Sequence, residues 1–356
     1  MPDLKGVLTD GKIFGTFLDN ENNPSLAAAD AGIFGVAFDA TASYKKGTRL
    51  GPHAIMQASH QIEYPPVGYT ARLSDKAKAH FAGIFEYPEV AEHEDVDALS
   101  KAMVADVAGL ATDILKQQKL LALFGGEHSV LNGALQAVKG MYKPKAVTLL
   151  QIDAHLDLRD AFEGLQYSHG SIMRNAVELG FPTVQLGIRD HISAADVGGE
   201  AEYIAEKGLA NSIFYCATQP AGFYARPGFK PKWIEKSNLI FNGMLDDNLA
   251  RRIADLVDTE YLWITIDVDG FDPSIFPGTG TPLPHGLQLS GVERLLYSII
   301  SAGKAKLLGF DIVEVAPEMR TAARSYSPQE AVNTTTEMNA ALLAYKLLFW
   351  NFLDRF

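Results

Sequence analysis

Short apolar runs that alternate with longer helical patterns constrain the fold of this chain more than any other feature. The apolar runs are five to seven residues long and several continue directly into Gly or Asp; they cover 32–38, 120–124, 146–152, 183–188, 262–268 and 307–313. Helical spacing of apolar residues is found at 96–117, 129–138, 170–179, 246–257, 290–302 and 330–349. This alternation predicts an α/β fold with a mostly parallel sheet covered by helices on both faces.

The domain organisation predicted from this pattern is simple. The composition, with 47% hydrophobic and 21% charged residues, is that of an ordinary globular protein. No internal repeat or linker-like stretch interrupts the alternation, so we expect one domain over residues 1–356. The stretch 191–245 is rich in Pro, Gly and aromatic residues and has no clean period. We predict an irregular insertion there, either an elaborated surface loop or a lid or oligomer contact.

Charge and hydropathy exclude several classes of function. A formal net charge of −12 argues against a surface that binds nucleic acid. No stretch reaches the roughly 18 to 20 apolar residues that a membrane helix needs, and the first residues, MPDLKGVLTDGK, lack the apolar run of a secretory signal. The single Cys216 leaves no internal disulfide. We therefore expect a cytoplasmic protein without nucleic-acid or membrane partners.

Residues capable of chemistry directly follow the predicted strands. In an open parallel sheet, ligands bind beyond the carboxyl ends of the strands, so residues at those ends are the first candidates for a site. The candidates are His128 after 120–124, Asp153, His155 and Asp157 after 146–152, Asp267 and Asp269 at the end of 262–268, and Glu314 after 307–313.

The number and spacing of these residues indicate a metal site. Residues two apart in extended chain point to the same side, so the members of Asp-x-His-x-Asp share one face, as do those of Asp-x-Asp. Four carboxylates converging with two imidazoles would repel one another, whereas two divalent cations cancel four negative charges and carboxylates bridge such a pair. A lone Asp-x-Asp is commonly structural, and a lone Gly-Gly-Glu-His can be a turn with a buried histidine. Their conjunction at three strand ends favours a two-metal site.

Several longer motifs, in their order along the chain, resemble those of the ureohydrolase (arginase–agmatinase) family. They are GVAFDATASYKKGTRLGPHAIMQAS (35–59), GGEHS (125–129), DAHLDLRD (153–160), SHGSIMR (168–174), ITIDVDGFDPSIFPGTGTP (264–282) and GFDIVEVAPE (309–318). The resemblance extends from about residue 32 to 320. It implies a three-layer α/β/α, arginase-like fold, a centre of two Mn²⁺ ions, and a homo-oligomer, trimeric or hexameric.

The resemblance also assigns the metal ligands. One ion would be held by His128, Asp153, Asp157 and Asp267. The other would be held by Asp153, His155, Asp267 and Asp269. The implied reaction is hydrolysis of a small guanidinium C–N bond by metal-activated water, which releases urea and an amine. Oxygen-rich ligation suits Mn²⁺, but Ni²⁺, Co²⁺ and Zn²⁺ bind such sites as tightly, and the metal available in the cell decides between them.

The resemblance implies further roles for Glu314, for His169 and for the ligand Asp157, and the loop PGTGTP adds Thr281 as a candidate. Glu314 matches the glutamate that binds the guanidinium, and a carboxylate suits that planar fork of donors. His169 matches a proton-shuttling histidine, which serves a leaving amine that must be protonated. Asp157 is expected to accept the proton of the nucleophile. Thr281, in the loop PGTGTP, either contacts the substrate or stabilises a turn.

The tail of the substrate is the least defined part of the prediction. The PGTGTP (277–282) and SHG forms look more like agmatinases than arginases, which favours hydrolysis of agmatine to putrescine. Arg159 would repel the terminal ammonium of agmatine unless Asp160 or Glu163 neutralises it, and it would instead attract a carboxylate. His285 stands where relatives usually carry glycine. The alternative substrates are a guanidino acid, arginine, guanidine and formiminoglutamate.

Two other functions are compatible with parts of this pattern. Hydrolases similar to histone deacetylases share this fold but use a single zinc ion, which the full set of ligands disfavours. A non-catalytic ureohydrolase-like subunit would act only by binding a partner. The presence of every ligand, with His169 and Glu314, disfavours that reading as well.

Overall fold

Ten strands form one central sheet in the order β1-β3-β2-β4-β10-β9-β5-β6-β7-β8. The structure is a computed structural model that describes residues 7–9, 23–62, 73–88, 95–190, 199–226, 233–320 and 325–355. The strands of the sheet are β1 (Val7–Thr9), β2 (Ala31–Ala37), β3 (Ala79–Glu86), β4 (Leu120–Gly125), β5 (Val147–Ile152), β6 (Thr183–Ile188), β7 (Ile213–Ala217), β8 (Leu239–Phe241), β9 (Tyr261–Asp267) and β10 (Lys306–Val313).

Neighbouring strands from β3 to β8 in this order pair in parallel, whereas β1 pairs antiparallel with β3 at one edge. A second, small antiparallel sheet consists of β11 (Glu318–Met319) and β12 (Ala331–Asn333). The central strands are buried along nearly their whole length. Strands buried on both faces read as continuous apolar runs rather than as alternating ones, which is why the sequence revealed them.

Helices cover both faces of the sheet. They are α1 (Gly51–Ser59), α2 (Val96–Lys116), α3 (Leu131–Met141), α4 (Ile172–Leu179), α5 (Glu200–Lys207), α6 (Ala221–Tyr224), α7 (Asp247–Leu256), α8 (Leu289–Ser301) and α9 (Thr335–Asn351). One apolar core packs α1, α7, α8 and α9 against the sheet, and a second packs α2, α3, α4 and α5 against its other face. The predicted three-layer α/β/α architecture is confirmed.

Local signals explain where several helices begin and end. The side chain of Asp95 accepts a hydrogen bond from the backbone N–H of Ala98 at the start of α2. Asp246 caps α7 in the same way through the N–H of Leu249. These carboxylates satisfy N–H groups that have no partner within the helix. Helix α4 ends at Gly180, whose positive φ of 95° suits glycine.

The C-terminal helix begins later than its predicted start at residue 330. Residues 331–333 form β12, which pairs with β11, and α9 starts at Thr335. The carboxamide oxygen of Asn333 accepts hydrogen bonds from the backbone N–H and the hydroxyl of Thr335. This local hydrogen bonding fixes the turn between strand and helix, and the apolar spacing of the sequence does not reveal it.

The segment predicted as an irregular insertion, 191–245, contributes α5, α6, β7 and β8 in its described residues, 199–226 and 233–245. Residues 191–198 and 227–232 lie outside the described part of the chain. Strands β7 and β8 continue the parallel sheet at the edge opposite β1. In the described ranges no helix combines the length and apolar character required to cross a membrane.

Candidate metal centre

The candidate centre lies at the carboxyl ends of four adjacent strands in the middle of the sheet, in the order β4-β10-β9-β5. Strand β4 leads to His128, β10 to Glu314 and β5 to Asp153, while β9 ends at Asp267. Because parallel strands end at the same edge, residues far apart in sequence converge there. The structure therefore brings together every residue predicted as a metal ligand.

His128 is the centre of the first cluster. Its Nδ1 lies 3.2 Å from Oδ2 of Asp153, 3.2 Å from Oδ2 of Asp157 and 3.7 Å from Oδ2 of Asp267. All four side chains are buried. His128, Asp153 and Asp267 each offer one ligand atom within 4.8 Å of the others, a spacing that could hold an ion.

The second cluster surrounds His155. Its Nδ1 lies 3.5 Å from Oδ1 of Asp153 and 3.1 Å from Oδ2 of Asp269. These three residues form a second group that could hold an ion, and Asp153 belongs to both groups through its two oxygens. Asp267 lies in the first group, and its Oδ1 accepts the backbone N–H of Asp269. The position of Asp153, with one oxygen toward each group, is the one expected of a ligand that bridges two metal ions.

The hydrogen bonds of His128 test whether the site fits a metal ion. Its Nε2 lies 2.8 Å from the hydroxyl of Thr265, which donates its own hydrogen to Oδ1 of Asp311 at 2.7 Å. Since the threonine oxygen can then only accept, Nε2 carries the proton and Nδ1 presents a lone pair. Nδ1 is buried and has no hydrogen-bond partner among the described residues, although carboxylate oxygens surround it. A metal ion would accept the lone pair of Nδ1, so this set of residues fits a metal ion.

The protonation of the cluster is also consistent with a site for cations. Burial opposes a charge on His128, but the carboxylates of Asp153 and Asp157 beside its Nδ1 outweigh burial and raise the pKa of His128 well above its ordinary value. Burial and the charge of Asp153 raise the pKa of Asp157 to about 7. Burial, followed by the charge of Asp269, raises the pKa of Asp267 well above its ordinary value. Protons and metal ions therefore compete for the same atoms.

The backbone around the centre is strained or tightly packed at several points. Asp157 and Glu314 both have a positive φ, 52° and 62°, which non-glycine residues rarely adopt and which is often found at functional sites. A Cβ on Gly270 would lie 2.6 Å from the backbone N of Asp153. Only glycine allows the loop after β9 to approach β5 so closely.

A cavity of about 250 Å³ opens onto the cluster. Glu314 lies in its lining, and its Oε1 accepts the backbone N–H of His128 at 2.8 Å. Burial, followed by the charge of Glu127, raises the pKa of Glu314 well above its ordinary value, so the pocket favours a bound cation. Thr281 also lines the cavity, but its hydroxyl donates to Oδ2 of Asp269 at 3.0 Å. Thr281 thus contacts Asp269, a candidate metal ligand.

His169 lines the cavity in contact with a buried polar network. The hydroxyl of Thr41 donates to Oε1 of Glu127 at 2.5 Å, and its oxygen lies 3.3 Å from Nδ1 of His169. The ring of Phe162 packs edge-on against the imidazole at 5.1 Å. Burial, together with the charges of His155 and other neighbours, lowers the pKa of His169 to about 4. Its imidazole is therefore neutral at pH 7.

The mouth of the cavity carries charges of both signs. The guanidinium of Arg159 packs over the ring of Phe162 at 4.7 Å. Asp190 and Glu200 line the same cavity, and sequence reasoning missed both. Asp160, one of the two acids that could have neutralised Arg159, lies 3.3 Å from Arg174.

His285, the other departure from the family pattern, is exposed and lies outside the cavity lining. Its φ is +66°, a conformation that glycine adopts readily, which would explain the glycine that the family resemblance implies at this position.

Other contributors could have been found from their spacing or motif. Thr265 and Gln151 precede Asp267 and Asp153 by two residues, so they point to the same face of their strands. Glu127 is part of the Gly-Gly-Glu-His motif.

Comparisons with known proteins agree with this geometry. The model of the Arginase family matches residues 29–214 and 232–349, most of the chain. The chain belongs to the Arginase family. It is 31% identical to an N(1)-aminopropylagmatine ureohydrolase of Synechocystis over 94% of this chain and 93% of the relative. It is 28% identical to an agmatinase of Pyrococcus horikoshii, over 81% and 84% of the two chains.

A solved structure supports the same assignment for this arginase-family protein. Proclavaminate amidino hydrolase from Streptomyces clavuligerus superposes with a TM-score of 0.67 at 26% identity, covering 91% of this chain and 92% of that one. The protein is therefore a ureohydrolase, a hydrolase that acts on C–N bonds in linear amidines. The clusters around His128 and His155 are the part of this family member that could hold its metal ions.

Proposed function

We propose that this ureohydrolase cleaves the guanidino group of agmatine, or of a close relative with an amine tail, to release urea and a diamine such as putrescine. The observation that carries the proposal is one cavity that joins two candidate ion groups, which share Asp153, to the partly buried carboxylate of Glu314. We further propose that two Mn²⁺ ions occupy the groups, held by His128, Asp153, His155, Asp157, Asp267 and Asp269.

The ions, when bound, supply a water activated near neutral pH and an electrostatic clamp for the developing charge. Glu314 binds the planar guanidinium through charge-assisted hydrogen bonds and turns its carbon toward the centre. Asp157 lies beside His128 in the first cluster and lines the cavity, where its carboxylate is placed to accept the nucleophile's proton.

His169 moves a proton to the leaving amine. Its low pKa means that the neutral ring must take up a proton before it gives one away, so it relays protons rather than storing them. The hydroxyl of Thr41 donates its hydrogen to Glu127, so the hydroxyl oxygen accepts a hydrogen bond from Nδ1 of His169. Nε2 is then the basic atom. A neutral amine leaves far more readily than its anion, which makes this proton a requirement of the reaction.

Two carboxylates support a cationic substrate tail. Asp190 and Glu200 line the cavity together with Arg159. Arg159 packs its guanidinium on Phe162, where an aromatic face stabilises the cation. The lining also contains Lys45, so the acids and the cations are equal in number, and Asp190 and Glu200 are the groups that a terminal ammonium would contact. Relatives named for agmatine and for N(1)-aminopropylagmatine support the same class of substrate.

The second candidate is hydrolysis of a guanidino acid, which Arg159 favours because a guanidinium binds a carboxylate tail. A relative named proclavaminate amidinohydrolase is 28% identical to this chain over 85% of each sequence. In this case Arg159 would leave Phe162 and pair with the tail of the substrate.

Urea release separates these proposals. The protein, loaded with Mn²⁺ or with Ni²⁺, is assayed with agmatine, N(1)-aminopropylagmatine, guanidinobutyrate, arginine and guanidine, and with formiminoglutamate by formamide release. We expect the highest kcat/KM with an amine-tailed guanidine. A higher value for guanidinobutyrate would establish the second candidate. A protein that binds two Mn²⁺ ions and hydrolyses none of these compounds would overturn the proposal in favour of a non-catalytic binding subunit.

Substitution of Asp153, which both ion groups share, and of Asp267, which the family resemblance assigns to both ions, supplies the matching negative control. Asp153→Ala and Asp267→Ala should abolish both metal binding and turnover. Retention of two ions per chain by elemental analysis would contradict the assignment of these ligands. A cytoplasmic location and a trimeric or hexameric assembly stay predictions from the sequence; light scattering of the purified protein tests the assembly.

A further inference from the structure

Two fully buried glutamines lie beneath the candidate centre on neighbouring strands. Gln151 on β5 and Gln185 on β6 are register partners, and neither side chain is exposed. A buried amide that lacks hydrogen-bond partners destabilises the fold, because it has lost its hydrogen bonds to water. The contacts of this pair therefore indicate its role.

The two amides form a chain of hydrogen bonds with one direction. Nε2 of Gln185 donates to Oε1 of Gln151 at 2.6 Å and to the backbone oxygen of Leu156 at 2.8 Å. Nε2 of Gln151 then donates to Oδ2 of Asp153 at 2.6 Å. Reversing either amide would set two oxygens against each other, so the acceptors fix both orientations.

The direction of this hydrogen-bond chain determines which acceptor sites of the Asp153 carboxylate are left for metal ions. Its Oδ2 accepts from Gln151, and its Oδ1 accepts the backbone N–H of His155 at 2.7 Å. A carboxylate oxygen has two acceptor sites, so each oxygen keeps one for an ion. The two donors, one on each oxygen, prevent rotation of the carboxylate. Oδ2 remains 3.2 Å from the imidazole of His128, and Oδ1 remains on the side of His155.

We propose that Gln151, held in place by Gln185, is a positioning residue that fixes the plane of the Asp153 carboxylate and so sets how tightly the centre holds its second ion. Gln185 acts at two points, because it also holds the carbonyl of Leu156, between His155 and Asp157. This inference rests on the two-ion centre of the proposed function.

Metal titration of the metal-free enzyme tests the proposal. Gln151→Met keeps the volume of the side chain but removes its donor, and Gln185→Met removes the donor that orients Gln151. We expect both to weaken binding of the second Mn²⁺ about 10- to 100-fold, as measured by calorimetry. Elemental analysis after dialysis against limiting Mn²⁺ should fall from two ions per chain toward one. Gln151→Glu, which sets a second carboxylate against Asp153, should lose more.

Gln136→Met is the matched control, because this glutamine lies partly buried on α3. It should bind two ions as the wild type does. Circular dichroism of each metal-free variant separates misfolding from a local effect; if Gln151→Met fails to fold, Gln185→Met decides the matter. Unchanged affinity for both ions in a folded Gln151→Met or Gln185→Met protein would overturn the proposal.

The titration needs no substrate, so it distinguishes this inference from the proposed function. A wild-type protein that binds two Mn²⁺ ions but releases no urea would contradict the function alone. A wild-type protein that binds fewer than two ions would contradict both.

Discussion

Glu314 is the residue on which recognition of the guanidinium depends. One of its oxygens accepts the N–H of His128, and the carboxylate lines the cavity beside the ion groups. Glu314→Gln keeps the shape but removes the charge that pairs with the substrate. Because a hydrogen bond to a charged group contributes about 1.5–3 kcal/mol, kcat/KM should fall roughly 10- to 100-fold.

The control for this prediction is Glu318→Gln, a partly exposed glutamate that lies 4.0 Å from Lys45. It should retain the kcat/KM of the wild type. Both variants should bind the same amount of Mn²⁺, measured by elemental analysis. Wild-type kcat/KM in Glu314→Gln would remove Glu314 from substrate binding.

Thr41 offers a second test at the scale of one side chain. Its hydroxyl connects Glu127 to Nδ1 of His169. Thr41→Val removes the hydroxyl at nearly constant volume, so it should lower kcat about tenfold or more, leave KM close to that of the wild type, and shift the pH profile of kcat. Thr41→Ser keeps the hydroxyl and should restore most of the rate. If the valine and serine variants lose equal activity, the residue matters only for packing.

The loop after β9 shows how a whole element depends on one close approach. A Cβ at Gly270 would meet the backbone N of Asp153 on β5 at 2.6 Å. Gly270→Ala should therefore push the two strand ends apart, lower the free energy of unfolding by about 1–3 kcal/mol and weaken Mn²⁺ binding. Chemical denaturation and metal titration measure the two effects.

Gly109→Ala is the matched control, since this glycine lies within α2 and a Cβ there meets nothing within 4 Å. It should raise the free energy of unfolding by about 0.5–1 kcal/mol, because alanine loses less conformational freedom in a helix. Equal free energies of unfolding for Gly270→Ala and Gly109→Ala would contradict the prediction, because they would show that the ends of β9 and β5 can move apart without loss of stability.

The elements that sequence reasoning predicted are those with a continuous apolar signal. All six predicted strands were found within about one residue of their observed bounds; for example, 183–188 coincides with β6. Strand β3 was missed because Gly83 and partly buried positions interrupt its pattern. Strand β7 was missed because its five residues, IFYCA, lie in a stretch rich in Pro, Gly and aromatics.

The ligands were predictable because they follow strands, whereas the partners of the polar groups beneath them were not. Gln185, Gln151, Thr265 and Asp311 are successive register partners across β6, β5, β9 and β10. Strands β9 and β10 come late in the chain but lie between β4 and β5. Strand order is set by long crossover connections, and the sequence does not state it. A buried glutamine in a strand therefore has no identifiable partner until the order is known.

The whole molecule has a net charge of −12, and several of its carboxylates lie close together in the candidate metal centre. In the metal-free protein the pKa values of Asp157 and Glu127 are raised to about 7, first of all by burial. An acid whose pKa is raised by folding stabilises the fold while it is protonated. That stability is present below the unfolded pKa of about 4 and is lost as the pH rises through 7. The raised pKa values of His128 and His155 act in the same direction.

Metal-free protein should therefore become less stable between pH 4 and pH 8, and metal binding should show the opposite dependence. Each Mn²⁺ that binds must displace protons, so its affinity should rise about tenfold per pH unit for each proton released below pH 7. At a hundredfold excess of Mn²⁺ over its Kd, the folded state gains about 2.7 kcal/mol. Thermal unfolding with and without Mn²⁺ across this range measures both trends, and calorimetry in two buffers of different ionisation enthalpy counts the protons. A Kd that does not change between pH 5.5 and 7 would mean that the six side chains hold no protons to displace. In that case the raised pKa values, and the competition between protons and metal ions inferred from them, would be wrong.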